Sequence, residues 1–163
     1  MPTLNIQKLA FASALFVGIV YILAGLGNLN HISVGADHLW HTQDDHMISQ
    51  RVAWNFWKYG KPVYNLGEDV AANTSLFWPI FLSNFYYFAD LENGIVCVVI
   101  FTAAVSALTI INAASLLPNN LYKIVFSAFI VLSPVYLFFG MSGWEHVPQT
   151  LFVTAALVSV LHA

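Results

Sequence analysis

The sequence predicts an all-α integral membrane protein with about four transmembrane helices and one long external loop that carries juxtamembrane amphipathic helices. Composition is the first observation behind this fold class: of the 163 residues, 59% are hydrophobic and only 8% are charged. A soluble domain carries about 25% charged residues, so this chain has too little charge to cover a water-facing surface. The second observation is a set of apolar runs of bilayer length. The third is that most of the charged residues lie together, between the first two of those runs.

Four apolar runs are predicted to cross the membrane, at 9–26, 94–117, 121–139 and 147–163. Each approaches the ~20 residues that a helix needs to cross the hydrocarbon layer. No small-residue cleavage motif follows the first run, so we expect an uncleaved signal anchor and not a removed signal peptide. Pro134 falls inside the third run and predicts a kink there.

A further apolar stretch, residues 74–91, has two readings. If it spans the bilayer, the chain has five helices, and Glu145 lies on the opposite side of the membrane from Asp44. The stretch is rich in aromatic residues, which is typical of a helix lying in the membrane interface. With four spans, Lys8 and the short loop that holds Lys123 are both cytoplasmic, as the positive-inside rule favours. We therefore predict four spans, a cytoplasmic N-terminus and an interfacial segment at 74–91.

The external loop, residues 28–93, holds most of the charged residues. Within it, residues 43–59 are predicted to form a helix, because apolar residues recur there at helical spacing. This predicted apolar stripe consists of Ile48, Val52, Phe56 and Tyr59. Asp44 and Asp45 stand at the start of the helix, where carboxylates cap free amides and are favoured by the helix dipole.

The acidic pair also has a chemical reading, because it lies a short distance beyond a membrane exit. A carboxylate at that depth is placed to take a proton from an acceptor hydroxyl. A neighbouring carboxylate would raise the pKa of such a base, or Asp44 and Asp45 would together hold a divalent cation such as Mg²⁺ or Mn²⁺. Helix capping and chemistry both remain open at this point.

Several short motifs occur in a fixed order along the chain. They are DDHMISQR at 44–51, VYNLGE at 63–68, NTSLFW at 73–78 and MSGWE at 141–145. Together they resemble the first two external loops of the GT-C superfamily of polyprenyl-phosphate-sugar-dependent glycosyltransferases. They are most similar to the branch that contains mycobacterial arabinofuranosyltransferases. The chain departs from that branch at Leu66, where Pro is usual, and at Asp69, where a basic residue is usual.

The resemblance implies an inverting sugar transfer from a polyprenyl phosphate to a hydroxyl or amine acceptor, outside the cytoplasm, in a bacterial inner membrane. It aligns Asp44 with the general base, and Asp45 would assist by orienting the acceptor or binding a cation. Arg51 would meet the donor phosphate; an ion pair with Asp44 or Glu68 is the alternative. Glu145 is the candidate second acid near the donor. The alternative is that Glu145 is a solvated charge of the loop without a role in the reaction.

Members of this superfamily carry many more spans, so we expect the chain to be a fragment of a longer protein or one component of an assembly. The expected partners are the lipid-linked sugar donor, membrane lipids, and the remainder of the chain or other subunits. The net charge of -3 gives no electrostatic case for a nucleic acid partner.

Four histidines support a different class of protein. His31, His38, His41 and His46 crowd into one short segment, and His38 and His41 have the spacing of one helical turn. Imidazoles so spaced can share Zn, Cu or haem iron, which is typical of a membrane metal or redox subunit. None of the four lies in a predicted span, and the resemblance runs through Asp44, so we expect them to be loop residues. A small accessory subunit without chemistry is the third reading.

Overall fold

The computed structural model describes residues 16, 18–20, 23, 30–34, 37–41, 44–68, 72–73, 75–140 and 143–161, with the backbone alone at 30–34, 37–41, 44 and 137. These residues form a mainly helical chain with a single short hairpin in the described part. The elements are β1 (Asn30–Val34), β2 (Asp37–His41), α1 (Asp44–Tyr59), α2 (Phe77–Ser83), a 3-10 helix (Asn84–Tyr87), α3 (Leu91–Ser115), α4 (Asn120–Val131), α5 (Pro134–Gly140) and α6 (His146–Leu161).

The chain divides into two compact units. The loop unit comprises residues 27–99, and the helical unit comprises residues 1–26 and 100–163. Most of the predicted span at 9–26 lies outside the described residues; its described positions are helical.

The loop unit begins with the hairpin. β1 and β2 pair antiparallel, from Asn30 opposite His41 to Val34 opposite Asp37. No strand is predicted here from the sequence. The cause is the brevity of the segment, because two five-residue strands give too short a pattern to distinguish extended backbone from loop.

Helix α1 packs against α2 in the loop unit, but not through the predicted apolar stripe. The buried positions of α1 are His46, Ser49, Gln50, Val52, Ala53 and Asn55. Of the predicted stripe only Val52 is buried, whereas Tyr59 is 49% exposed. The buried residues at 46, 49, 50 and 53 follow the spacing of one helix face, so the inner face of α1 is rich in polar side chains.

The aromatic stretch predicted at 74–91 forms α2 and the 3-10 helix. Polar side chains mark the point where one gives way to the other. The Ser83 hydroxyl donates to the Ile80 carbonyl at 2.6 Å, and the Asn84 amide donates to the Phe81 carbonyl at 2.8 Å. Such bonds compete with helix propagation, which accounts for the short length of α2.

Helix α3 is long and apolar enough to cross a membrane: it has 25 residues, and its most apolar 18-residue stretch has a mean hydropathy of 2.6. It begins three residues before the predicted span at 94–117, because the Asp90 side chain accepts a hydrogen bond from the Asn93 amide at 2.9 Å and so caps the first turn. Its length of roughly 37 Å exceeds the ~30 Å of the hydrocarbon layer.

Helices α4 and α5 occupy the predicted span at 121–139. The Asn119 side chain caps α4 by accepting from the Tyr122 amide at 2.9 Å. The two helices meet at a bend of 65° next to Pro134, where the sequence predicts a kink because proline lacks an amide hydrogen. They pass the length and hydropathy criterion for a membrane span only as a pair, and α6 is shorter, with 16 residues.

The core of the helical unit lies where small side chains of α3 face α4. Ala103, Ala107 and Ile110 pack with Val131, and the Ser106 hydroxyl donates to the Gly140 carbonyl at the end of α5 at 2.6 Å. Small residues allow helix backbones to approach closely, and a hydroxyl bond across helices adds to the packing.

Candidate functional site

The acid pair lies in the first turn of α1. Asp44 is the first residue of the helix, and its side chain lies outside what the structure describes. The Asp45 side chain is exposed. Both positions are at the positive end of the helix dipole, which stabilises carboxylates in the first turn. This placement fits a helix cap and a solvent-accessible base equally well.

The next residue, His46, belongs to a buried chain of hydrogen bonds. The Tyr86 hydroxyl donates to Oε1 of Gln50, and Nε2 of Gln50 donates to Nε2 of His46. Because an amide nitrogen cannot accept, the proton of His46 must sit on Nδ1. All three side chains are at most 1% exposed, and they join α1 to the 3-10 helix.

Burial keeps the side chains of this hydrogen-bond network uncharged at neutral pH. Desolvation lowers the pKa of His46 from 6.5 to about 3, because an apolar surrounding disfavours the imidazolium. Desolvation also raises the pKa of the Tyr86 hydroxyl, with the nearby Cys97 acting in the same direction. The network is therefore a neutral polar connection and not an acid–base pair.

Close packing holds Tyr86 in place. Trp54 meets its ring edge-on, with the ring centroids 5.4 Å apart. On the other side, a Cβ atom at Gly94 would overlap the Tyr86 ring, so only glycine fits at this position in the first turn of α3. This requirement is one of packing, since the backbone conformation of Gly94 is helical.

Arg51 fixes the turn that carries the second motif. Its Nε donates to the Tyr64 carbonyl at 2.9 Å, its Nη2 donates to the Asn65 side chain at 3.0 Å, and its guanidinium lies 4.5 Å from the centroid of the Tyr64 ring. One helical turn on, the Asn55 amide donates to the carbonyls of Val63 at 2.8 Å and Tyr64 at 3.0 Å. Two residues of α1 therefore bind the turn that follows it.

The predicted alternative for Arg51 was an ion pair with Asp44 or Glu68. The structure connects Arg51 to Glu68 through Asn65, whose amide donates to the Glu68 carboxylate at 3.0 Å. The pairing with Asp44 stays a prediction, since the Asp44 side chain lies outside what the structure describes. The guanidinium is exposed, and no hydrogen bond from its Nη1 occurs within the described residues. Among the described residues, one edge of the guanidinium therefore has no hydrogen-bond partner. Asp69, one of the departures from the family pattern, lies outside the described residues.

Asn73, the first residue of the third motif, also faces α1. The Ser49 hydroxyl donates to its side-chain oxygen at 3.3 Å. The Asn73 amide nitrogen is buried and has no hydrogen-bond partner among the residues that the structure describes. Thr74, the next residue of the motif, lies outside the described residues.

Glu145 belongs to the helical unit. It lies just before α6, two residues after a turn at Gly143, whose φ of 79° favours glycine. The neighbouring Trp144 and His146 rings are 4.9 Å apart. Met141 and Ser142, which begin this motif, lie outside the described residues.

The helical unit also contains a largely apolar cavity of about 520 Å³. Ser106, Ser133, Tyr136, His146 and Thr150 are its polar lining residues. A cavity of this size and character is suited to hydrocarbon.

The histidine spacing behind the metal reading is not helical. His38 and His41 lie in β2 and His31 lies in β1, and the side chains of all three lie outside what the structure describes. The prediction that His38 and His41 are separated by one helical turn is therefore wrong, because β2 is extended. Within the described residues, no group of three or more His, Cys, Asp or Glu side chains is placed to hold a metal ion.

Comparisons with known proteins give no relative: no family model, no curated protein and no solved structure matches the chain. The connection of His46, Gln50 and Tyr86 is not predicted from the sequence. The spacing of His46 and Gln50 at i and i+4 was the available signal, since it places both on one helix face.

Proposed function

We propose that this chain is the N-terminal portion of a membrane glycosyltransferase that transfers a sugar from a polyprenyl phosphate to an acceptor on the external face. The observation that carries the proposal is that α1 contains one of the motifs and binds the turn that carries another. The helix opens with the Asp44–Asp45 pair, and through Arg51 and Asn55 it binds the turn that carries the Tyr-Asn-Leu-Gly-Glu motif.

The proposed reaction is a single displacement at the anomeric carbon. The acceptor oxygen forms a bond to that carbon while the bond to the lipid phosphate oxygen breaks, so the configuration inverts. Asp44 takes the proton of the acceptor hydroxyl, and the lipid phosphate leaves with the bonding electrons. Asp45 orients the acceptor or, with Asp44, holds Mg²⁺ or Mn²⁺. Glu145 is proposed to act near the donor.

The edge of the Arg51 guanidinium that has no hydrogen-bond partner among the described residues supports a role in holding the donor phosphate. Three of its contacts are to the turn at Tyr64 and Asn65, so the guanidinium is held in one orientation before any ligand arrives. Preorganised donors of this kind bind phosphate oxygens at little entropic cost.

The proposed topology has four spans, at 9–26, 94–117, 121–139 and 147–163, with the 74–91 segment along the external surface. The length of that segment supports this arrangement. Its helical part, with seven residues in α2 and four in the 3-10 helix, reaches roughly 18 Å, well short of the ~30 Å that a helix needs to cross the hydrocarbon layer. Its exposed aromatic residues, among them Phe77 at 74%, suit the membrane interface.

The central test is Asp44→Asn in the longest form of the protein that the gene encodes. The amide is nearly isosteric and still caps the helix, but it cannot accept a proton at neutral pH. We expect transfer from a polyprenyl-phosphate sugar to fall by ~10²–10⁴-fold, with unchanged expression and melting temperature. Lys61→Gln, which removes an exposed charge of the same unit outside the four motifs, is the control and should retain activity.

Two outcomes would contradict the catalytic role. Turnover by Asp44→Asn close to that of the wild type would remove Asp44 as the base. A variant that loses expression or melting temperature together with activity would show that the charge of Asp44 stabilises the fold, and the loss of activity would then no longer support a catalytic role.

A further inference from the structure

A surface of the loop unit combines exposed aromatic rings with one ammonium group. We define this aromatic–basic surface by Trp54, Trp57, Lys58, Tyr59, Tyr87 and Phe88. Phe88 is 88% exposed and Tyr87 is 72% exposed, while Trp57 and Tyr59 are 41% and 49% exposed. So much exposed aromatic area in one place indicates a partner, because soluble surfaces rarely carry contiguous patches of this kind.

Ring contacts connect the two segments that form the surface. The rings of Trp54 and Trp57 lie 5.3 Å apart, and Trp54 meets Tyr86 at 5.4 Å. Tyr86 precedes Tyr87 and Phe88, whose rings are 5.0 Å apart. The C-terminal half of α1 and the end of the 3-10 helix are therefore neighbours in the loop unit, joined through the buried Tyr86 ring.

Lys58 supplies the positive charge of this surface. Its Nζ lies 5.2 Å from the centroid of the Trp54 ring and 5.6 Å from that of Tyr59. In the part of the chain that the structure describes, no carboxylate pairs with it. An ammonium group held among aromatic rings and open to solvent is complementary to a phosphate group.

The position of the surface along the chain identifies its partner. Phe88 precedes by three residues the start of α3 at Leu91, the helix that is long and apolar enough to cross a membrane. If α3 spans, Phe88 and Tyr87 cannot lie far from the bilayer surface, since three residues reach at most roughly 10 Å. Aromatic rings and snorkelling lysines are the side chains that favour this depth.

We propose that the aromatic–basic surface docks the C-terminal half of α1 onto the lipid bilayer, with Lys58 bound to the phosphate of an anionic lipid headgroup. The proposal rests on the membrane part of the proposed function and is independent of sugar transfer. It implies that α1 itself is anchored at the membrane. Asp45, thirteen residues before Lys58, then lies within roughly 20 Å of the headgroups, where an acceptor presented by a membrane-bound molecule is within reach.

The test places nitroxide labels on single cysteines of the full chain, in a Cys97→Ala background, reconstituted in bilayers of phosphatidylcholine and phosphatidylglycerol. Labels at positions 57 and 88 report on the surface, and labels at the exposed positions 45 and 68 are the matched controls. A label at Ala104 in α3, also exposed, reports on the span. We expect oxygen to collide with the labels at 57, 88 and 104 several-fold more often, relative to a water-soluble nickel complex, than with those at 45 and 68.

The outcomes separate this proposal from the one it rests on. A lipid-exposed label at 104 with water-exposed labels at 57 and 88 overturns the docking surface and leaves the span intact; the surface would then face water or a protein. A water-exposed label at 104 overturns both.

The headgroup assignment is tested by Lys58→Gln against Lys61→Gln, a nearby exposed lysine that contacts no aromatic ring in the described part of the chain. We expect Lys58→Gln to weaken the association of spin-labelled phosphatidylglycerol, relative to phosphatidylcholine, by about five-fold. Lys61→Gln should change it much less. Equal effects of the two substitutions would show that Lys58 binds no particular headgroup.

Discussion

At the residue scale, His46 occupies a position with opposing demands. It is adjacent to Asp45, which is exposed, yet its own ring is buried and hydrogen-bonded to Gln50. The neutral imidazole leaves the charge of the first turn of α1 to the two aspartates. It also connects the first turn of α1 to Tyr86 through Gln50, so that the backbone that carries the acid pair is held in place.

The lowered pKa of His46 predicts that acid destabilises the fold. In the unfolded chain the imidazole takes a proton below pH ~6.5, whereas in the folded chain it stays neutral down to a pH of about 3. The unfolded state then binds more protons, and stability falls as the pH drops through that window. Between pH 7 and pH 5 we expect a loss on the order of 2 kcal/mol.

Melting temperatures of wild type and His46→Gln, measured in detergent across this pH range, check the effect. The glutamine variant is less stable at pH 7 but should lose less on acidification, because its side chain does not titrate. Parallel pH profiles of the two proteins would show that His46 is not the group responsible.

Gly94 gives a second prediction at this scale. Replacing a helical glycine by alanine usually stabilises a helix by up to ~1 kcal/mol. At Gly94 the added methyl group would overlap the Tyr86 ring, so we expect a loss of ~1–3 kcal/mol instead. Gly18→Ala is the matched control, because a Cβ at Gly18 meets nothing within 4 Å. Thermal unfolding of the two variants measures the difference. Equal melting temperatures of Gly94→Ala and Gly18→Ala would contradict the close packing of Tyr86.

At the element scale, α1 serves two neighbours. Its buried face joins the 3-10 helix through the polar network, and Arg51 and Asn55 bind the turn that follows it. The existence and start of α1 are predictable from sequence, because two aspartates and a helical repeat mark them. Its buried face is not predictable by counting apolar residues, because Gln50 and His46 are buried through hydrogen bonds that only the fold supplies.

Arg51→Lys tests the binding of the turn. Lysine keeps the charge but loses the planar fork and the stacking on Tyr64, so we expect the turn to open while α1 stays folded. Amide hydrogen exchange at residues 61–68 should speed up, and the exposed position limits the stability loss to about 1 kcal/mol. Lys61→Arg, an exposed substitution in the same segment, should leave exchange unchanged. Equal exchange rates in wild type and Arg51→Lys would contradict this role of Arg51.

At the scale of the whole molecule, apolar runs predict where membrane helices lie but not how many of them cross. The run at 94–117 is long enough to be unambiguous, and α3 lies there. The run at 121–139 is divided by the bend next to Pro134 into two short helices, and the hairpin is too short to show in any pattern. Where Glu145 lies relative to the acid pair depends on how many segments cross, which no local pattern determines.

The topology is therefore the last prediction. With four spans and an interfacial 74–91 segment, an even number of crossings separates Asp45 from Glu145, and both lie outside the cytoplasm. Single cysteines at positions 45 and 145, in a Cys97→Ala background, should both react with a membrane-impermeant maleimide added to intact cells. A cysteine at Lys123, near the start of α4 and of the third proposed span, should react only after the membrane is made permeable. If the 74–91 segment spans instead, an odd number of crossings separates the two acids, and only one of them is labelled from outside. That result would move Glu145 away from the acid pair and leave Asp44 and Asp45 as the proposed chemistry of the external face.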